Sequence, residues 1–247
     1  MLDAGAAYLE VQQRYSALVA SLNPDELAMP VPACPEWTVA ESVAHHAGVA
    51  ADLSTGNLPE LGELARILGQ HDDADVARER DEMTSRQVND RQRSDTASVL
   101  AEWAAATEII VAMMRGEVPF PEVAGPLGGA IAINDIVVHE GDAREALGLG
   151  PAPEVVATSL ALSAYGFNLD GRIRAAGLSA IALSYGDKQR VLGEGEPVAV
   201  VAADRTTLVR LLASRLTREQ ILALAWTGDP TPYLEVIPEY GPAAPGR

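Results

Sequence analysis

Residues 130–148 read AIAINDIVVHEGDAREALG, and this stretch decides the fold of the first half of the chain. Ala132, Ile136, Ala143 and Leu147 fall on one stripe of a helix that runs from Ala130 to Leu147 and closes on Gly148. Asp135 and His139 are one turn apart and lie on or beside that stripe, so both point into the protein. An acid and an imidazole on an interior face are costly unless they bind something. One turn apart, they make half of a metal site. A plain Asp–His hydrogen bond is the competing reading, and spacing alone leaves both open. Asp142 lies one further turn along, where it either orients a ligand from behind or stands solvated. Glu140 is expected to face solvent.

Working back from this helix, Val99, Trp103, Ala106, Ile110 and Met113 step by four and three and define another long helix, stopped by Gly116 and Pro119. Tyr8, Val11, Tyr15, Leu18 and Leu22 define a first helix, ended by Asn23-Pro24. Pro30, Pro32 and Pro35 make residues 28–37 a loop. Thr38-Val39-Ala40-Glu41 is a capping box that opens a second helix, Val39 to about Leu53. That helix carries His45 and His46. Periodicity sets His46 on the face of Val39, Val43 and Ala50, and His45 on the flank near Ser42 and Val49. Either can reach the interior, and the spacing leaves the choice open. Residues 54–80 are acidic and poorly patterned and read as a long connection in which His71 is a surface residue. Four amphipathic helices make a bundle over residues 1–149.

Beyond it the pattern changes. Pro151 and Pro153 mark a linker. A helix over Val155–Ala175 is followed by short aliphatic strands at Ile181–Tyr185, Arg190–Leu192 and Val198–Ala202. Asp204 caps a helix over Leu208–Arg215, Thr217 and Gln220 offer another capping box, Leu222–Trp226 reads as a strand, and Gly228-Asp229-Pro230 is a turn. Residues 154–240 thus form a small α/β domain, and residues 241–247 fray. The fold class is α+β.

Composition narrows the function. The net charge of −17 argues against a nucleic-acid backbone or an anionic membrane as partner. No apolar run is expected to span a membrane. Cys34 is the only cysteine, so no intramolecular disulfide can form, and without a basic neighbour it is not expected to be a nucleophile. With no secretory signal at the opening residues, the expected compartment is cytoplasmic. There is no Gly-rich phosphate loop and no nucleophile elbow. Arg172, Arg174, Arg210 and Arg215 give the second domain a basic cluster, suited to a substrate carboxylate or to surface ion pairs.

The segment Cys34-Pro35-Glu36-Trp37-Thr38-Val39, with His45 eight residues after the Trp, resembles the opening motif of the DinB-like metal-binding bundles. More specifically, it is similar to the mycothiol-dependent maleylpyruvate isomerase family. Asp135 to Gly148 matches that family's acid-x-x-x-His-x-x-Asp segment, and Trp226-Thr-Gly-Asp-Pro230 resembles its sterol-carrier-like C-terminal domain. The resemblance implies a DinB-like four-helix bundle with zinc on His45, Asp135 and His139, so it prefers His45 where periodicity favours His46. It also implies mycothiol as thiol cosubstrate and an isomerase or thiol S-transferase acting on a small electrophilic, acidic substrate, in a monomer or homodimer. Asp142 would stand behind the ligands, and Arg210, Arg215 and His46 are the candidate substrate contacts. The chain departs from the pattern at three places: Asp135 where the isomerase carries the longer Glu, His46 where Leu is usual, and Glu36 where Gly is usual. Two other functions share the ligand set. Two His and one carboxylate also describe a non-haem iron triad. A closed site with His46 or Asp142 as fourth ligand would suit a non-catalytic binding or regulatory protein.

Overall fold

The computed structural model describes residues 3–60, 74–240 and 242–243. The chain divides into two compact units, Met1–Ala152 and Pro153–Arg247.

The first unit is built on four long helices: α1 (Ala4–Ala20), α3 (Val39–Thr55), α5 (Thr96–Met114) and α6 (Gly128–Ala146). Helices α1 and α3 each pack against α5 and α6. Three of the four starts are capped by side chains. Asp3 accepts from the Ala6 amide at 2.8 Å, Asp95 from the Ser98 amide at 2.7 Å, and Thr38 and Glu41 form the reciprocal box. Helix α6 ends on Gly148, whose φ of 64° is the left-handed turn a helix C-terminus commonly uses. The core runs along the predicted stripes, through Tyr8, Val11, Tyr15, Val99, Trp103, Ile110 and Ile136.

Four local expectations differ from what is found. Asn23 does not simply end α1. Its side chain caps a one-turn helix, α2 (Pro24–Leu27). The loop over residues 28–37 contains a short antiparallel ribbon, β1 (Pro30–Val31) with β2 (Cys34–Thr38). Proline forbids helix interior but tolerates an edge strand, so the three prolines are compatible with this ribbon. Within the expected connection lies the start of a further helix, α4 (Ala74–Asn89). Its buried positions include only Val76, Gln87 and Val88, too thin a stripe to register as a period. It is held to α3 by polar contacts instead. Asp52 accepts from Arg86 at 2.8 Å, Gln87 at 2.7 Å and Asn57 at 2.9 Å. Gly48 permits the approach, since a Cβ there would stand 2.5 Å from Gln87 Cβ. Finally, α5 is long and apolar enough to cross a membrane, contrary to expectation. Its valines, isoleucines and Leu100 supply most of the hydropathy, and Trp103 and Ile110 are fully buried in the unit. His71 and most of the tail over residues 241–247 lie outside the described residues.

The second unit sets α7 (Val156–Ala175) and α8 (Arg205–Leu212) beside a four-stranded sheet of order β4-β3-β5-β6. The strands are β3 (Ile181–Tyr185), β4 (Lys188–Leu192), β5 (Ala199–Ala202) and β6 (Ala225–Thr227). Strand β3 pairs antiparallel with β4 and parallel with β5. That central place explains its unbroken apolar run, because Ile181, Ala182 and Leu183 are fully buried. The expected strand over Leu222–Trp226 is divided. Its first residue ends helix α9 (Arg218–Leu222), nucleated by the Thr217–Gln220 box, and β6 starts three residues later. At Gly228, φ is 84° and a Cβ would lie 2.3 Å from the Val198 carbonyl, so this turn admits no side chain.

Asp52→Ala is expected to lower the unfolding free energy by about 2 kcal/mol, because the Gln87 amide stays buried after losing its acceptor. Denaturant unfolding with amide exchange of α4 checks this, and unchanged protection of α4 would contradict it.

Candidate metal centre

Helices α3 and α6 bring three imidazoles around one carboxylate. His45, His46 and His139 are buried at 4%, 2% and 8% exposure. The choice between His45 and His46 dissolves in the structure. Residues 42–48 of α3 are buried on every side, so flank and face are both interior. The two histidines then do different things.

His46 Nδ1 lies 2.8 Å from Asp135 Oδ2. Burial pushes the His46 pKa down to about 4, so the ring is neutral and its Nδ1–H donates to the carboxylate. The ring is fixed from both sides. It stacks on Trp103, with centroids 5.3 Å apart and planes at 11°, and meets Tyr15 edge-on at 5.6 Å. Trp103 in turn donates to Tyr8 Oη at 3.3 Å.

Asp135 Oδ1 faces the other two rings, at 3.4 Å from His45 Nε2 and 3.7 Å from His139 Nε2. Burial pushes the Asp135 carboxyl up, and the facing His46 and His45 more than offset it, holding it well below the usual carboxylate range. One ligand atom from each of His45, Asp135 and His139 lies within 4.8 Å of the others. Two donors on one zinc-sized ion stand roughly 3.0–3.7 Å apart, so this set fits a divalent cation. The separations are too long for strong hydrogen bonds, which disfavours the plain Asp–His pair as the account of His139.

The environment of these groups contains one residue whose position the spacing leaves open and one expected in solvent. Asp142 is fully buried, and its Oδ2 stands 3.1 Å from His139 Nδ1, on the ring edge away from Asp135. Glu140 is also buried, at 1% exposure, which overturns its expected solvent position. The cause is Arg14 on α1, whose Nε and Nη2 donate to both Glu140 oxygens at 2.7 and 2.6 Å. Nothing in the local pattern of α6 signals a partner on another helix. Trp37, from β2, covers His45 with ring centroids 4.9 Å apart. Its presence at the centre was visible in the sequence only as part of the motif with Cys34.

The sequence profile of the mycothiol maleylpyruvate isomerase N-terminal domain matches residues 8–144. The chain belongs to that family. The match begins within α1 and ends within α6, so it spans every residue of the centre just described. Among solved structures, the chain is similar to the crystal structure of the mycothiol-dependent maleylpyruvate isomerase, at 12% identity and a TM-score of 0.53, covering 86% of this chain and 88% of that one. A variant of that isomerase with one histidine changed to alanine is matched at 12% identity and a TM-score of 0.52. At that identity the likeness is one of fold. No curated protein matches the sequence.

Arg210 and Arg215, the expected substrate contacts, belong to the C-terminal unit. There Arg215 Nη1 donates to the Ala213 carbonyl at 2.9 Å. Of the remaining basic cluster, Arg172 donates to the Val236 and Ile237 carbonyls and Arg174 pairs with Asp170, so both have structural employment.

Arg14→Ala is expected to cost about 3 kcal/mol of stability, since it strands a buried carboxylate, and Arg14→Ala with Glu140→Leu should recover most of the loss. Equal stability of wild type and the single variant in urea unfolding would refute the role of this pair.

Proposed function

We propose that this chain is a metal-dependent enzyme that uses a low-molecular-weight thiol, mycothiol, to attack a small electrophilic and acidic substrate, either isomerising it or retaining it as a thioether. The observation that carries this reading is the convergence of His45 Nε2, His139 Nε2 and Asp135 Oδ1 inside a bundle of the isomerase family. His45, Asp135 and His139 would hold zinc. When bound by three protein donors, zinc supplies an open position and the Lewis acidity that keeps a thiol ionised at neutral pH.

The chain's own residues account for the rest. His46 fixes the Asp135 carboxylate through Nδ1 and leaves Oδ1 free to serve as ligand. The Trp103 and Tyr15 rings lock His46, so that orientation cannot drift. Asp142 places a carboxylate oxygen 3.1 Å from the other nitrogen of His139. Trp37 shields the His45 edge of the site from water. With Asp135 in place of the isomerase's longer Glu, the carboxylate sits one methylene closer to α6, and His46, standing where Leu is usual, meets it there. Arg210 and Arg215 remain the proposed clamp for an acidic substrate, and the cytoplasm the proposed compartment.

Untagged protein should carry about one zinc per chain by mass spectrometry. His45→Ala and His139→Ala should lose it, with mycothiol-dependent turnover lost in parallel. His46→Leu should keep the metal but bind it on the order of tenfold more weakly. Iron in place of zinc, or metal retained in both alanine variants, would overturn the reading.

A further inference from the structure

His139 has two working edges. Its Nε2 faces Asp135 and belongs to the centre described above. Its Nδ1 faces Asp142 at 3.1 Å. That nitrogen is buried, and no hydrogen bond satisfies it. The approach to the carboxylate is close but off the line that an N–H···O bond needs. Cys34, on β2, stands beside both residues. Its sulfur, an imidazole nitrogen of His139 and a carboxylate oxygen of Asp142 all lie within 4.8 Å of one another. Asp142 is fully buried, His139 is 8% exposed, and Cys34 is half-buried, so the cluster can be reached from the ribbon side.

Two atoms that ligate one ion at roughly 2.0–2.3 Å stand some 3.0–3.7 Å apart and do not point at each other. A close, misaligned nitrogen–oxygen pair with a sulfur alongside has that arrangement. We infer that Cys34, His139 and Asp142 form a second metal position, selective for a soft divalent ion such as cadmium. The thiolate distinguishes it from the nitrogen and oxygen donors of His45, Asp135 and His139, because soft ions favour sulfur. Binding releases the thiol proton to solvent and changes no oxidation state. His139 belongs to both sets, so an ion on the sulfur side competes with the first centre for that ring.

The test is cadmium titration of the full chain, followed by the thiolate-to-cadmium ultraviolet band and by bound metal after gel filtration. The wild type should develop the band. Cys34→Ser should lose it while keeping its helical circular dichroism and its zinc. His45→Ala, which breaks only the first set, should keep the band with about one cadmium per chain. Asp142→Asn and His139→Ala should each weaken cadmium binding, read at the band, on the order of tenfold or more. No band in wild type or His45→Ala would overturn the inference. So would a band of unchanged affinity in Asp142→Asn and His139→Ala, because the cysteine would then bind cadmium by itself. A chain that lacks zinc on His45, Asp135 and His139, yet gives the Asp142-dependent band, would sink the proposed function and leave this second position standing.

Discussion

An ionised carboxylate inside a helical bundle loses several kcal/mol of hydration unless its surroundings replace it. Asp135 is that carboxylate, and much of the first unit is arranged to replace it. One oxygen takes the Nδ1–H of His46, and the other faces His45 and His139. His46 can donate reliably only because Trp103 and Tyr15 hold its ring, and Trp103 is anchored to Tyr8. The apolar stripes of α1 and α5 therefore do more than fill the core. They set the orientation of a polar group on α3, which sets the orientation of an acid on α6.

The legible parts of this arrangement were those with a period. The long helices, their caps, the strand run at β3 and the one-turn spacing of Asp135 and His139 all follow from side chains that repeat on one face. What escaped reading lacked a repeat. Helix α4 buries few apolar side chains and is tied down by Asp52, Arg86 and Gln87, whose polar side chains look like solvent-facing groups in a linear scan. Glu140 was read as exposed because its neutraliser, Arg14, sits on a different helix far back in the chain. The ribbon over Pro30–Thr38 has too few residues for any alternation to be seen. The spacing left His45 and His46 undecided for a different reason, since periodicity ranks faces and α3 has no exposed face along residues 42–48.

The family relation and the physical reading meet at the same residues by different routes. Periodicity brought Asp135 and His139 inward without any knowledge of relatives, while the motif after Trp37 was needed to single out His45. At 12% identity to the solved isomerase, the likeness is one of fold. A fold survives such divergence because most positions need only be apolar and of suitable size.

The ribbon β1–β2 gives the centre an asymmetric wall. The residues of its other walls stand on helices, whose backbones are rigid at the scale of a rotamer, and the side bearing Cys34 and Trp37 is a two-stranded segment fixed by few backbone pairings. A helix cannot breathe without breaking its ladder, but a short ribbon can tilt as a piece. Substitutions over residues 30–37 can therefore reshape that wall while the helices and the charge balance of the interior stay as they are.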